Sequence, residues 1–423
     1  MPWQGGRRLA DMTIEAGGFR SRRVARDDAV DASRFFSRMG YAVLAVGAPV
    51  GVVVHPLALF VFFPIGVAMI LMAAALEAKP GFLDRVLRSF RARAFLALIA
   101  GLAWATLSTL WTPYPVSALQ QVLKLALLIA ATLLTVAAPR DNARATDLYL
   151  FPIGGVLLMV AMATKGLFNI LIGATDDEDL RAGAVALAIL LFPALGGLTA
   201  RGRNGYARLL LILSLAFAYV DGYRPLTVAL FAGYLALSLS ISDMARTARE
   251  LAWSGAALIL LSPLIPAFAP TVAAWIFHTK LAVLPPPYAS LSVAADIFTH
   301  DKLRLITGHG FETVSRGVRA AILPAQTPKA LAFTVWYELG VVGAALAAVG
   351  VWFVFRDLDQ APPRLAPFIA AGFSAIVALC FLDVDFVDMT TPTLIAVAII
   401  STDVAARSQY RTKRPSAATL ANL

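Results

Sequence analysis

From about residue 39 onward, apolar stretches near twenty residues long recur along the chain. One hydrophilic excursion, residues 276–329, interrupts them. A run of about 20 apolar residues crosses a hydrocarbon core of about 30 Å as a helix. In lipid the backbone must satisfy its own polar groups, and the irregular apolar patterning excludes barrel strands, so each run reads as a helix. The composition agrees: 59% of residues are hydrophobic and 15% are charged, against roughly half and a quarter in soluble proteins. The expected fold class is all-α, a polytopic integral membrane protein with about 12 transmembrane helices. The runs fall at 39–54, 57–76, 94–111, 118–138, 147–169, 182–199, 207–220, 226–242, 251–275, 330–355, 365–382 and 389–406. This divides the chain into a basic tail (1–38), helices one to nine (39–275), a long loop with amphipathic helices (276–329), helices ten to twelve (330–406) and a second basic tail (407–423).

The net charge of +10 resembles a nucleic-acid signal, but no nucleic-acid partner is expected. Most of the 36 Lys and Arg lie in the segments that alternate onto one side when the N-terminus starts in the cytoplasm. That is the positive-inside pattern, with membrane lipids as the partner of the positive charge. Both termini are then expected inside and the long loop outside. The N-terminal tail does not read as a signal peptide, because Asp27, Asp28 and Asp31 interrupt its arginines ahead of the first apolar run. A single cysteine, Cys380, rules out a disulfide framework within the chain. The histidines His55, His278, His300 and His309 are scattered without metal-ligand spacing. No phosphate-binding glycine motif is present. No metal and no cofactor are therefore expected.

Several positions stand out. Trp111-Thr112-Pro113-Tyr114-Pro115 is a tight outer turn with aromatics at interface depth, which reads first as an aromatic anchor. Thr175-Asp176-Asp177-Glu178-Asp179 is an acidic outer cluster that reads first as a solvated loop. Asp221-Gly222-Tyr223-Arg224-Pro225 is a short turn that holds Arg224 near a bundle mouth. A guanidinium suits paired phosphate oxygens, although a salt bridge to Asp221 or contact with headgroups serves equally. In the loop, Leu291, Ala294, Ala295 and Phe298 share a helical face over 289–299. Phe311, Val314, Val318 and Ile322 predict a second amphipathic helix over 311–323, with Glu312, Arg316 and Arg319 opposite and Glu312 paired to Arg316. The loop carries six basic residues, Lys280, Lys302, Arg304, Arg316, Arg319 and Lys329, against Asp296, Asp301 and Glu312. Such an excess suits an anionic ligand or the headgroups alone. Lys124 and Lys165 are intramembrane charges and so candidates for function. Either could also neutralise a carboxylate such as Asp383 or Asp385. Glu338 reads as facing the bundle interior.

The order of these features resembles the O-antigen ligase and O-antigen polymerase superfamily of bacterial envelope glycosyltransferases. Trp111-Thr112-Pro113-Tyr114-Pro115 resembles the family's W-S/T-x-x-P turn. Tyr223-Arg224-Pro225 stands where the family has Ser-Arg-Gly before an apolar helix. Gly308-His309-Gly310-Phe311 resembles its G-x-G-aromatic turn. Pro328 followed by Trp336-Tyr337-Glu338-Leu339-Gly340-Val341-Val342-Gly343 resembles its E-L-G start of the next helix. The resemblance covers most of residues 40–406. It implies transfer or polymerisation of a glycan from an undecaprenyl-diphosphate-linked donor, without a metal, at the periplasmic face of the inner membrane. The acceptor would be a sugar of the lipid A core or a second lipid-linked glycan. It implies arginines that hold the diphosphate and a loop histidine as base: Arg224 matches the short-loop arginine, Arg304, Arg316, Arg319 and Lys329 stand in for the others, and the base is His309 or His300, with Glu312 in reserve. Two family positions differ: the upstream loop arginine falls near Ser290, and the histidine after Pro328 is replaced by Lys329. The competing class is a non-catalytic transporter or flippase of lipid-linked glycans.

Overall fold

The computed structural model describes residues 29–77, 82–138, 148–173, 178–277, 288–300, 304–382, 384 and 389–408. Most of both basic tails, Thr175 to Asp177, His278, Lys280, Pro285 to Pro287, Asp301, Lys302, Asp383 and Asp385 lie outside the described residues, as does the side chain of His300. Among the described residues the regular elements are all helical. In chain order they are α1 (Ala29–Val54), α2 (Ala58–Glu77), α3 (Phe82–Ser89), α4 (Arg93–Ser108), α5 (Pro115–Ala137) and α6 (Leu150–Ile172). There follow α7 (Glu178–Ala200), α8 (Asn204–Asp221), α9 (Arg224–Ser242), α10 (Met244–Leu261), α11 (Leu264–Phe277) and α12 (Tyr288–His300). The last are α13 (Arg304–Thr307), α14 (Thr313–Arg319), α15 (Leu331–Arg356), α16 (Ala366–Cys380) and α17 (Thr390–Ser408).

Seven described helices are long and apolar enough to cross a membrane: α1, α2, α5, α6, α7, α9 and α15, the last counted on to Gln360. Two shorter apolar helices, α4 and α16, accompany them. The chain is thus a membrane-embedded helical protein. The expected run at 251–275 is not one helix. It divides between α10 and α11 at Ser262 and Pro263, because proline has no N–H to donate and its ring clashes with the preceding turn. The carbonyl of Ile259 at this break accepts the Trp336 indole N–H at 2.8 Å.

Helix α7 is the centre of the bundle and packs on α17, α6, α16, α1, α8 and α9. Its sequence explains this position. Gly183, Ala184, Ala186, Ala188, Ala194, Gly196 and Gly197 leave it slim, so neighbours approach closely. The larger Leu187, Ile189, Leu191, Phe192 and Leu195 fill the space between them and are fully buried. The closest approach is elsewhere, where α6 crosses α1. A Cβ on Gly154 would stand 1.7 Å from the Ala45 carbonyl, within the π-helical segment Val43–Gly47. Only glycine permits that crossing.

Charge inside the bundle is neutralised locally. Lys165 of α6 donates to the Val53 carbonyl at 2.8 Å and pairs with Asp179 in the first turn of α7. The lysine therefore sits on the carbonyl end of α1, and the carboxylate sits on the amide end of α7, each favoured by the helix dipole. Among the described residues its counter-ion is Asp179 of the acidic cluster. At the far end of α5, Arg85 donates to the Ala137 carbonyl and Arg407 to those of Val136 and Ala138. Helix α5 is 23 residues long, about 35 Å, so this arginine-capped end and the turn at 111–115 lie at opposite ends of the bundle.

Replacing Lys165 or Asp179 by alanine is expected to cost about 2 kcal/mol, the order of a hydrogen bond to a charged group. Thermal unfolding in detergent should show the double variant little worse than either single one, since the loss is shared.

Candidate functional site

The site is built on a break in α15. Gly340 has φ 66° and ψ −162° within an otherwise helical run. That region of the backbone map is open essentially to glycine alone. A helix that stops leaves the carbonyls of its last turn without partners. Here outside donors take them. The His309 N–H reaches the Tyr337 carbonyl at 2.9 Å, and the Gly310 N–H reaches that of Glu338 at 2.9 Å. The Trp104 indole of α4 donates to the carbonyl of Leu339 at 2.9 Å. The contact leaves no room for side chains on either strand. A Cβ on Gly340 would lie 2.4 Å from the Ile306 carbonyl oxygen, and one on Gly308 would lie 2.1 Å from that of Glu338.

The segment after Gly310 is held from a second side. Ser108 accepts the Phe311 N–H at 3.2 Å, and the Thr112 hydroxyl donates to the Phe311 carbonyl at 2.9 Å. The Thr313 hydroxyl lies 3.3 Å from that of Thr112. Trp111 packs against Trp104 with ring centroids 5.7 Å apart, so it is tied into the protein rather than serving simply as a surface anchor.

Glu338 completes the frame. It is 1% exposed, as expected of an interior carboxyl. Its two oxygens accept the backbone N–H of Glu312 at 2.9 Å and of Val314 at 2.8 Å. These amides belong to the start of α14, where unsatisfied donors and the helix dipole favour a carboxylate. The bonds hold Glu312 at φ 68°, an uncommon conformation for a residue with a side chain. The Glu312 carboxylate is itself buried, accepts the Ser315 hydroxyl at 3.1 Å and lies 3.5 Å from Arg316 Nε. The pairing of Glu312 with Arg316 expected from spacing is present.

His309 lies flat on Tyr337, with centroids 4.0 Å apart and planes inclined by 7°. Its Nδ1 is 3.0 Å from the Tyr337 carbonyl. A carbonyl can only accept, so this contact places the proton on Nδ1 and makes Nε2 the acceptor nitrogen of the neutral ring. That is the arrangement of a general base whose second nitrogen is oriented by a fixed partner.

The structure thus brings together His309, Glu312 and Arg316 with the turn at 111–115. Arg304 and Arg319 are exposed on α13 and α14 beside them. Lys329 is exposed just before α15. Arg224 is exposed at the first turn of α9, and none of the hydrogen bonds or ion pairs between described residues joins it to 304–319. The amphipathic helix expected over 311–323 is shorter: α14 covers Thr313–Arg319 alone. Positive φ at Gly310 and Glu312 delays its start, and Ala321 at φ 55° turns the chain after it. Ile322 therefore falls off the apolar face and is 72% exposed. By contrast α12 forms as expected, with Ala294, Ala295 and Phe298 buried. Sequence reasoning missed the roles of Ser108, Thr112, Thr313 and Tyr337. Their one signal was proximity to the glycine turns and to the Trp111 and Glu338 motifs.

Comparison with protein-family models, with curated proteins and with solved structures returned no match.

Gly340→Ala should cost roughly 3 kcal/mol from backbone strain, and more from the contact with Ile306. Limited proteolysis should then cut within 304–314, where the unaltered protein should resist cleavage. Glu338→Gln keeps the shape but offers one acceptor oxygen in place of two. Hydrogen exchange at the Glu312 and Val314 amides should accelerate while that of α7 stays unchanged.

Proposed function

We propose that this chain is a membrane glycosyltransferase of the O-antigen ligase or polymerase type. It moves a glycan from undecaprenyl diphosphate onto an acceptor sugar hydroxyl at the periplasmic face of the bacterial inner membrane. About twelve crossings, with both termini cytoplasmic, belong to the same proposal. One observation carries it. Three of the segments that carry the resemblance, 111–115, 308–314 and 336–343, meet through hydrogen bonds: Thr112 to Phe311, 199 positions apart, and Glu338 to Glu312, 26 apart.

The chemistry follows from the groups assembled there. The acceptor hydroxyl attacks the anomeric carbon, and its proton passes to His309 Nε2. The C–O bond to undecaprenyl diphosphate breaks with inversion, and the bonding electrons leave on the diphosphate. Arg316, Arg304 and Arg319 stand on one short stretch to meet that charge, with Lys329 at its end. Fixed cations at a leaving diphosphate stabilise the transition state more than the ground state, where the charge is smaller. Glu312 serves chiefly to aim Arg316, given their 3.5 Å separation, and is the second choice of base. Successive helices joined by short turns alternate in direction, which returns Arg224 to this end of the bundle. It would meet the diphosphate from across the mouth. The donor is already activated, so no nucleotide enters the reaction.

In a deletion strain, long chains held on undecaprenyl diphosphate beside bare core lipid would identify a ligase, and single unpolymerised repeats a polymerase. Wild type should restore the profile. His309→Gln should reduce the rate roughly a hundredfold or more, as loss of a general base does. Arg316→Ala should lower activity, and Arg316→Lys should recover part of it. An envelope glycan profile that deletion leaves unchanged, or full rescue by His309→Gln, would count against this reading.

A further inference from the structure

The first half of α5 carries four polar side chains, Ser117, Gln120, Gln121 and Lys124. Spacings of three and four place them in one stripe along the helix. The stripe begins at the turn whose Thr112 binds the loop, and the Ser117 hydroxyl is itself bonded to the Tyr114 carbonyl at 3.1 Å. It follows the seam between the packed and the open sides of α5. Gln121 is buried, whereas Gln120 and Lys124 are exposed. Leu119, Leu123 and Leu127 beside them are 56%, 59% and 62% exposed. Their apolar character marks that side as facing lipid. Lys124 thus stands in a membrane-spanning helix, on the lipid side, and no ion pair or hydrogen bond joins it to a described residue. An ammonium there is unfavourable unless an anion accompanies it. Lys165, the other intramembrane lysine, has Asp179 for this purpose, while Lys124 has no counterpart within the described protein.

Helix geometry indicates where such an anion belongs. Lys124 lies nine residues beyond Pro115, about 14 Å along the axis. Side chains of a helix lean toward its N-terminus, so the ammonium reaches back toward the 111–115 turn and the loop bound to it. Gln120, one turn closer, supplies a neutral donor on the way.

We propose that Lys124, assisted by Gln120, is the subsite that binds the diphosphate of the lipid-linked donor on the membrane side of the reaction centre. The carrier approaches laterally through the bilayer. Its headgroup is held by Lys124 and Gln120 and passes along the polar stripe to Arg304, Arg316 and Arg319. This inference rests on the transferase reading and adds to it the route by which the donor arrives. It also supplies a cation on a part of the chain distant from the departures at Ser290 and Lys329.

The test is binding of undecaprenyl diphosphate to the full chain in nanodiscs, with undecaprenol as the neutral control and phosphatidylglycerol as competitor. Lys124→Ala should weaken diphosphate binding roughly ten- to a hundredfold, the range of one charge-assisted hydrogen bond, and Lys124→Arg should restore most of it. Undecaprenol binding should not change. The side chain is exposed and has no partner among the described residues, so the variant should fold, and an unaltered melting temperature checks this. Equal diphosphate binding by wild type and Lys124→Ala would overturn the subsite and leave the transferase reading standing. Phosphatidylglycerol that displaces the diphosphate at equal concentration would mark a general headgroup site instead and would also overturn the proposal. A wild-type protein that binds no undecaprenyl diphosphate would overturn the transferase reading itself.

Discussion

The carbonyls of Tyr337, Glu338 and Leu339 govern this architecture. Within a straight helix they would be satisfied by amides of the next turn. The left-handed backbone at Gly340 removes that possibility, and in a membrane-embedded helix a polar backbone group without a partner is costly. The donors that replace those amides come from two places, the His309–Gly310 backbone and the Trp104 side chain. Each therefore fixes the position of the other. The loop docks where it does because α15 is broken, and the break persists because the loop and α4 supply the missing donors.

The same frame accounts for how the side chains of the candidate site are held. His309 gains its orientation from the carbonyl that binds its own amide and from the Tyr337 ring beneath it. Glu338 occupies both oxygens with the backbone of the 312–314 turn, so it organises that turn. Glu312 then presents its carboxylate to Arg316. Each of these side chains has few rotamers left open to it, and under the transferase proposal that would hold the cations in place before charge develops. The arginines at the opposite end do different work. Arg85 and Arg407 close the last carbonyls of α5 and are structural.

The helical class and the membrane setting were legible in the sequence, because apolar runs of spanning length admit few other folds. The buried face of α12 and the pairing of Glu312 with Arg316 followed from spacing, and the interior place of Glu338 from its position within an apolar run. What escaped was decided by distant contacts. Nothing in the apolar run from Leu331 to Arg356 distinguishes Gly340, which breaks the helix, from Gly343 or Gly350, which do not. Ala321 favours helix by propensity and is nonetheless held at φ 55°. Lys165 finds its partner on the next helix, a pairing that sequence distance left open among several carboxylates. At the candidate site, the closeness of His309 and Glu312 in one turn was recognisable from the flanking glycines. The supporting hydroxyls of Ser108 and Thr112 were not, since their partners lie about two hundred residues away.

That separation bears on the order in which the protein forms. Trp104, Ser108 and Thr112 emerge from the ribosome about two hundred residues ahead of Phe311 and Leu339. The turn at 111–115 must wait, its hydroxyls and indole served by water or by transient neighbours, while the intervening helices are inserted. Closing such long sequence separations is slow and comes late in folding. The candidate site is thus completed only once α15 is in place, and chains truncated before α15 would carry its first half alone.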